Sequence, residues 1–134
     1  MGMAVFTYGS LMFAPVWEKV VRGRYRSEAG VAHGFARFEV RDETYPGMIA
    51  APGGAVSGVV YFDVDAADAA ALDAFEGEAY RREQIEVVLA SGVAMPAHAY
   101  LFLDRSLLGP RPWLPEEFRL QRFLDTYCRA RISQ

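Results

Sequence analysis

AVFTYGSLM, residues 4–12, is the stretch of this chain that reveals most about its fold. β-Branched and aromatic residues alternate up to Tyr8, and a Gly-Ser turn then leads into the amphipathic segment PVWEKVV, residues 15–21. The pattern predicts a strand that feeds a helix through a tight turn. The first N–H groups of such a turn lack partners within it, which suits them to bind an anion or an oxyanion. Most turns of this kind are plain connections, and the stretch alone favours that interpretation.

Hydrophobic periodicity predicts the remaining elements. Asp65 is placed to cap a helix that runs to Phe75, with Asp68 in its acidic first turn and Gly77 where a positive φ is favoured. Ala29 to Arg41 reads as two short strands broken at Gly34, with one solvent-facing side. The other predicted elements are strands at residues 3–8, 55–64, 84–89 and 97–103, helices at 15–22 and 116–131, and loops at 47–54 and 109–115.

Strands outnumber helices in this pattern, which favours an α+β fold. We expect a small, mostly antiparallel or mixed, barrel-like sheet with about three flanking helices. The length of 134 residues suits a single domain spanning residues 1–134. We found no repeat, linker or low-complexity segment.

Composition excludes several classes of protein. With 52% hydrophobic and 23% charged residues, the chain reads as an ordinary globular protein. Its 14 basic residues are scattered and the net charge is −3, so nucleic acid is not expected as a partner. No apolar run approaches the roughly 18 residues of a membrane span. The absence of a signal-peptide pattern and the single cysteine, Cys128, predict a cytoplasmic protein.

A second stretch, LDAFEGEAYRR at residues 72–82, narrows the interpretation. With YGSL at 8–11, YPGM at 45–48 and Pro112-Trp113, it resembles the γ-glutamylcyclotransferase-like family. Within that family it is similar to the small avirulence-induced-gene-like branch of plants and bacteria. The resemblance extends from Val5 to Tyr127. It implies the family fold and the cyclisation of a small γ-glutamyl compound to 5-oxoproline, with release of an amine and without a metal or organic cofactor.

Glu76 is the acid that this resemblance singles out. It follows Phe75 at the end of a predicted helix, where loss of solvation among apolar side chains would raise its pKa towards neutrality. Position alone favours an ordinary surface glutamate. The resemblance instead implies that Glu76 is the catalytic acid and base. Glu78 is expected on the surface.

Substrate-binding residues follow from the same resemblance. The backbone N–H groups of Gly9, Ser10 and Leu11 suit an oxyanion and the substrate carboxylate, and Gly9 permits a close approach. Tyr8 is either a pocket residue or the last core residue of its strand. Three further candidates are Tyr80, Arg82 and Tyr100, of which Arg82 could pair with a carboxylate or be solvated.

Other kinds of site are not supported by the sequence. His33 and His98 are far apart and lack ligand-spaced partners, so no metal site is expected. Ser10 lacks the G-x-S-x-G elbow of serine hydrolases, and Cys128 lies on the apolar stripe of the last helix. The alternatives left open are a non-catalytic binding or stress-response module that retains the pocket, or γ-glutamyl transfer or hydrolysis with another leaving group. A monomer or a weak homodimer is expected.

Overall fold

A computed structural model describes residues 2–118 and 120–128 of the chain. Over these residues the strands are β1 (Met3–Thr7), β2 (Ser27–Val40), β3 (Pro46–Val64), β4 (Tyr80–Leu89), β5 (Ala94–Phe102) and β6 (Leu108–Pro112). The α-helices are α1 (Ala14–Val20), α2 (Ala66–Glu76) and α3 (Leu120–Phe123), and a π-helical turn, Leu124–Cys128, continues α3. Short 3-10 turns lie at Ser10–Met12, Arg105–Leu107 and Pro115–Glu117.

Five of the strands close into a barrel. The hydrogen-bonded order is β3-β1-β5-β4-β2, and β2 pairs again with β3 to complete the ring. β1 and β5 are parallel, whereas the other pairs are antiparallel. β6 pairs with β2 outside the ring. The predicted α+β fold with a mixed, barrel-like sheet and three helices is therefore confirmed.

Two apolar clusters result from the alternation of side chains along the strands. Phe6 of β1 belongs to a cluster of strand residues inside the barrel, together with Met48, Val60 and Val87. Its neighbour Val5 points to the other face. There the sheet packs against the helices through a larger cluster: Val16, Trp17, Val64, Leu72, Phe75, Tyr100, Phe102, Phe123 and Cys128. The second cluster attaches α2 and α3 to the barrel wall and so places the residues at their ends.

The helix α2 begins as its sequence predicts. The carboxylate of Asp65 accepts a hydrogen bond of 2.8 Å from the amide of Asp68, which is an N-cap. Gly77 ends the helix with a φ of 78°, in the region that favours glycine. Leu72 and Phe75 are buried on its inner face.

The predicted loop at residues 47–54 is wrong. β3 begins at Pro46 and includes these residues. Its register against β2 shifts, because His33 pairs with Ala55 whereas Phe35 pairs with Ala50. Residues 51–54 therefore bulge opposite Gly34, whose φ is 89°. The proline and glycines that suggest a loop form a bulge within one long strand, and Gly34 marks a register shift rather than a break.

Other element boundaries also differ from the sequence prediction. β4 and β5 begin before residues 84 and 97, because Tyr80 at the start of β4 pairs with Phe102 and Ala94 at the start of β5 pairs with Val88. The predicted loop at 109–115 begins with β6, which adds to the edge of β2. The last helix begins at Leu120 and not at Glu116, since a 3-10 turn, Pro115–Glu117, precedes it. Its predicted end at residue 131 lies outside the described residues. Every helix among the described residues is too short or too polar to span a bilayer.

Candidate active site

One cavity opens where β1 ends and α2 ends. The volume of this cavity, including its open mouth, is about 380 Å³. The centre of a water molecule can occupy only about 20 Å³ of this space, which is room for about one water. The lining residues are Phe6, Thr7, Tyr8, Gly9, Ser10, Leu11, Tyr45, Pro46, Glu76, Tyr80, Tyr100, Phe123 and Tyr127. The turn at 8–11 and Glu76 therefore meet in one place, as the sequence analysis requires.

The turn after β1 presents backbone donors to this cavity. The amides of Met12 and Phe13 donate to the carbonyls of Gly9 and Ser10, which closes the 3-10 turn. Within the described residues, no hydrogen bond from the amides of Gly9, Ser10 and Leu11 is found. Ser10 and Leu11 are buried. These three amides are the first of the turn and have no carbonyl within it to bind.

Gly9 is required by a close contact and not by its backbone angle. Its φ is −131°, which any residue can adopt. A Cβ at this position would lie 2.8 Å from Cγ and 2.9 Å from Cδ of Pro46. Contact with the ring of Pro46 therefore excludes a side chain at position 9.

Glu76 is the last residue of α2 and is half-buried at the cavity. Phe75, packed in the core beneath it, and the turn at Gly77 direct this end of the helix towards the barrel. Among the lining residues in the described part of the chain, Glu76 is the only carboxylate. Glu78 is exposed, as predicted. The raised pKa expected for Glu76 stays a prediction.

Tyr8 is buried, and its hydroxyl donates a hydrogen bond to the carbonyl of Tyr100. Burial, followed by the negative charge of Glu76, raises the pKa of Tyr8 well above its ordinary value. Tyr8 thus belongs both to the core and to the cavity wall. Its phenol is neutral at physiological pH.

Tyr80 and Tyr100 complete the phenolic wall of the cavity. The hydroxyl of Tyr80 donates a hydrogen bond of 2.7 Å to the carbonyl of Pro46. The hydroxyl of Tyr100 donates a hydrogen bond of 2.7 Å to Oδ1 of Asp73. Burial raises the pKa of both side chains, with nearby Tyr8 and Glu76 adding to the effect at Tyr80 and the hydrogen bond to Asp73 at Tyr100. Both are therefore neutral donors already engaged with the protein.

Arg82 is not among the residues that line the cavity, and its role as a substrate-binding candidate stays a prediction. Its Nε lies 3.0 Å from Oδ1 of Asp73, and its Nη1 contacts the sulfur of Met3. Of the two interpretations left open, pairing with a carboxylate is the one observed. Because Asp73 also accepts from Tyr100, Arg82 is linked to the cavity only through that carboxylate.

Sequence reasoning missed six lining residues: Phe6, Thr7, Tyr45, Pro46, Phe123 and Tyr127. Pro46 and Tyr45 lie in the YPGM motif, which carried the resemblance but had no assigned role. Tyr127 lies on the apolar stripe of the last helix, where spacing predicts a core residue. Its hydroxyl donates a hydrogen bond of 2.7 Å to the carbonyl of Phe75. Residue spacing alone could not predict this hydrogen bond.

Arg37 was also missed. Alternation with Phe38 places it on a solvent-facing side, but it is half-buried. Its Nη1 donates 2.6 Å to the carbonyl of Tyr8, and its guanidinium lies over the ring of Trp113. The available signal was the pair Pro112-Trp113, because a tryptophan near a strand arginine forms a ready cation–π partner.

No group of three or more His, Cys, Asp or Glu side chains suited to a metal ion occurs among residues 2–118 and 120–128. Cys128 is buried in the core, and burial raises the pKa of its thiol. Among the described residues, the chemistry available in the cavity is therefore that of one carboxylate and the backbone N–H donors of the turn, among phenols and aromatic rings.

Comparison with known proteins agrees with this arrangement. A family described as "Gamma-glutamyl cyclotransferase, AIG2-like" matches residues 5–119. The chain belongs to this family. The match covers both motifs that line the cavity, YGSL and the segment that contains Glu76. The resemblance inferred from those motifs is thereby confirmed.

Relatives of this AIG2-like chain share its fold over most of its length. It is similar to protein AIG2 C of Arabidopsis thaliana, with 27% identity over 130 residues that cover 92% of this chain and 78% of that protein. A solution structure from the same plant superposes with a TM-score of 0.74 at 26% identity, covering 97% of this chain and 82% of the other. A solved γ-glutamyl cyclotransferase superposes with a TM-score of 0.65 at 17% identity, covering 76% and 67%. At 17% identity the likeness shows a shared fold alone.

Proposed function

We propose that this AIG2-like protein is a γ-glutamylcyclotransferase. It would convert a γ-glutamyl amino acid or γ-glutamylamine to 5-oxoproline and release the amine, with Glu76 as general acid and base. One observation carries the proposal: Glu76 lines the same narrow cavity as Gly9, Ser10 and Leu11, whose amides make no hydrogen bond within the described residues. The family to which the chain belongs supports it.

The reaction asks little of the protein, because both reacting groups belong to one molecule. The α-nitrogen attacks the γ-carbonyl, a new C–N bond closes the five-membered ring, and the bond to the leaving nitrogen breaks. The α-ammonium loses two protons on becoming the ring amide, and the leaving nitrogen gains two on becoming an ammonium. The protein must hold the substrate folded and relay those protons.

Glu76 is suited to that relay. A carboxylate in a half-buried site takes a proton from the α-ammonium and returns it to the leaving nitrogen. The phenols of Tyr8 and Tyr80 are neutral at the working pH, since burial raises both pKa values. They bring no second negative charge to compete for that proton.

The turn amides are suited to the negative charge that develops on the γ-carbonyl oxygen. N–H donors held by a fixed backbone do not need to reorganise during the reaction, which is what makes such donors effective. Three amides are available, and an oxyanion uses one or two. The remainder can bind the α-carboxylate of the substrate.

A second candidate is a binding module that retains the pocket without turnover. The narrowness of the cavity favours it, because the space for water centres is only about 20 Å³. A γ-glutamyl group therefore requires the lining side chains to move apart. A third candidate, transfer or hydrolysis of the γ-glutamyl group, shares the cavity and differs in the acceptor.

The test is direct. Purified protein is incubated with a panel of γ-glutamyl amino acids, γ-glutamylamines and glutathione, and 5-oxoproline, glutamate and free amine are measured by chromatography. 5-Oxoproline in equal amount to the amine supports cyclisation. Glutamate in its place indicates hydrolysis. Binding of 5-oxoproline without turnover of any substrate would establish the binding module instead.

A further inference from the structure

Arg37 holds the turn of the candidate active site through a backbone carbonyl. Its Nη1 donates to the carbonyl of Tyr8 at 2.6 Å and to the carbonyl of Ser57 at 3.1 Å. Nη1 carries two N–H groups, so one group meets each carbonyl. The guanidinium lies 5.2 Å from the centroid of the Trp113 ring. Arg37 therefore joins β2, on which it lies, to the end of β1, to β3 and to the segment after β6.

The peptide between Tyr8 and Gly9 links this arginine to the cavity. No cis peptide occurs in the described chain, and the C=O and N–H of a trans peptide point in opposite directions. The carbonyl of Tyr8 points to Arg37, which is not among the residues that line the cavity. The N–H of Gly9 consequently points away from Arg37, and Gly9 is among the residues that line the cavity.

The strength of this hydrogen bond follows from the charge of its donor. A guanidinium keeps its proton in proteins, and a half-buried cation needs polar partners. Hydrogen bonds from a charged donor are shorter and about twice as strong as neutral ones. A bond of this kind on a carbonyl polarises the whole peptide, so the N–H at its other end becomes a better donor.

We propose that Arg37 is a positioning residue for the Gly9 amide: by holding the carbonyl of Tyr8, it fixes and polarises the N–H that faces the substrate. The identity of the substrate rests on the proposed function above. The orientation of the amide does not, and it can be measured without turnover. A role confined to joining strands would change stability and leave the Gly9 peptide in place.

The experiment uses 15N-labelled protein with substitutions at two arginines. Arg37→Met removes the charge and keeps an apolar stem, whereas Arg37→Lys keeps the charge on a single donor nitrogen. Arg26→Met is the matched control, because Arg26 also lies over an aromatic ring, that of Phe62, but is exposed. The amide dipolar coupling of Gly9 is measured in weakly aligned samples, and 5-oxoproline formation is assayed in parallel.

We expect the coupling of Gly9 to change in Arg37→Met, with the couplings in β4 and β5 unchanged. The Gly9 coupling in Arg37→Lys should return part of the way to the wild-type value. The Gly9 coupling in Arg26→Met should equal the wild-type value. 5-Oxoproline formation should fall at least about tenfold in Arg37→Met, because one misaligned donor loses much of its effect on the transition state. A wild-type Gly9 coupling in Arg37→Met would overturn the proposal. If Arg37→Met does not fold, Arg37→Gln, whose side chain is shorter and uncharged, takes its place, and a wild-type Gly9 coupling in that variant would overturn the proposal.

The two proposals fail in different ways. If the wild-type protein forms no 5-oxoproline, the proposed function fails, while the dipolar coupling still decides whether Arg37 orients the amide. If the wild-type protein is active and the coupling is unmoved, the function stands and Arg37 has only its structural role.

Discussion

The hydroxyl of Tyr127 donates a hydrogen bond of 2.7 Å to the carbonyl of Phe75. It also lies 3.3 Å from the carbonyl of Glu76. The last carbonyls of a helix have no partner inside it, so an outside donor fixes the end of α2. The π-helical turn that carries Tyr127 thereby holds the backbone from which the side chain of Glu76 extends.

Tyr127→Phe should slow 5-oxoproline formation by about tenfold, since small misplacements of a catalytic group reduce the rate strongly. The ring is retained, so its packing against Phe75 should persist. The free energy of unfolding should fall by only about 1 kcal/mol, the usual worth of one hydrogen bond. Initial rates and urea unfolding measure the two effects.

Tyr61→Phe is the control for loss of a tyrosine hydroxyl. Tyr61 stacks on Trp17 at 3.7 Å between ring centroids and is not among the residues that line the cavity. Its rate should equal that of the wild type. Equal rates for Tyr127→Phe and wild type would show that the hydroxyl does not position Glu76.

Glu76→Gln keeps the shape of the side chain and removes the base. Formation of 5-oxoproline should fall by at least ~10²-fold, the usual contribution of general acid–base catalysis. Glu78→Gln is the matched control, because Glu78 is exposed two residues away. Loss of activity in Glu78→Gln with an unchanged Glu76→Gln would transfer the role to the neighbour.

The helices could be predicted in kind because their signals are local. The N-cap at Asp65 depends on a single residue type, and so does the positive φ at Gly77. The structure has both features. The long strand β3 could not be predicted through residues 47–54, because a bulge needs a partner strand to define it. Gly34 and the residues opposite it become a register shift only when β2 and β3 pair.

The site shows the same division. The sequence motifs predicted that Tyr8 and Glu76 lie together, because the family that they resemble implies a barrel fold. Arg37 was assigned to a solvent-facing side because alternation records only which face a residue lies on. Its contact with Trp113 joins residues far apart in the chain, and no local pattern encodes such a contact.

Asp68 should make the protein sensitive to acid. Its carboxylate accepts hydrogen bonds from the hydroxyl of Tyr25, at 2.6 Å, and from the amides of Arg22 and Gly23, both at 2.9 Å. Burial alone would raise the pKa of this carboxyl, but those hydrogen bonds outweigh it and hold the pKa below its ordinary value. A lowered pKa stabilises the fold above the ordinary value of about 4, and this stability is lost as the pH falls through the folded-state pKa.

Asp68→Asn should therefore lower the free energy of unfolding at pH 7 by about 2–3 kcal/mol, since the amide leaves donors unsatisfied. The difference from wild type should shrink at pH values below about 4, where the wild type loses the same contribution. Urea unfolding at pH 7, 5 and 3 measures it. Glu86→Gln, at an exposed position on β4, should track the wild type. A difference that does not depend on pH would refute the assignment.

Gly9→Ala tests whether the turn at residues 8–11 binds the ligand. The added Cβ would lie 2.8 Å from Cγ of Pro46, closer than real side chains approach, so the turn or the proline must shift. The carbonyl of Pro46 also accepts a hydrogen bond from the hydroxyl of Tyr80, so a shift of Pro46 would displace Tyr80 in the cavity wall. We expect affinity for 5-oxoproline to fall at least about tenfold, because misplaced donors lose their alignment with the ligand. Calorimetric titration measures the affinity, and circular dichroism confirms the fold.

Gly109→Ala is the matched control, since its Cβ would meet an ordinary contact of 3.5 Å, and it should bind like the wild type. Undiminished binding in a folded Gly9→Ala protein would mean that the turn only connects β1 to α1, and the proposed function would then rest on Glu76 alone.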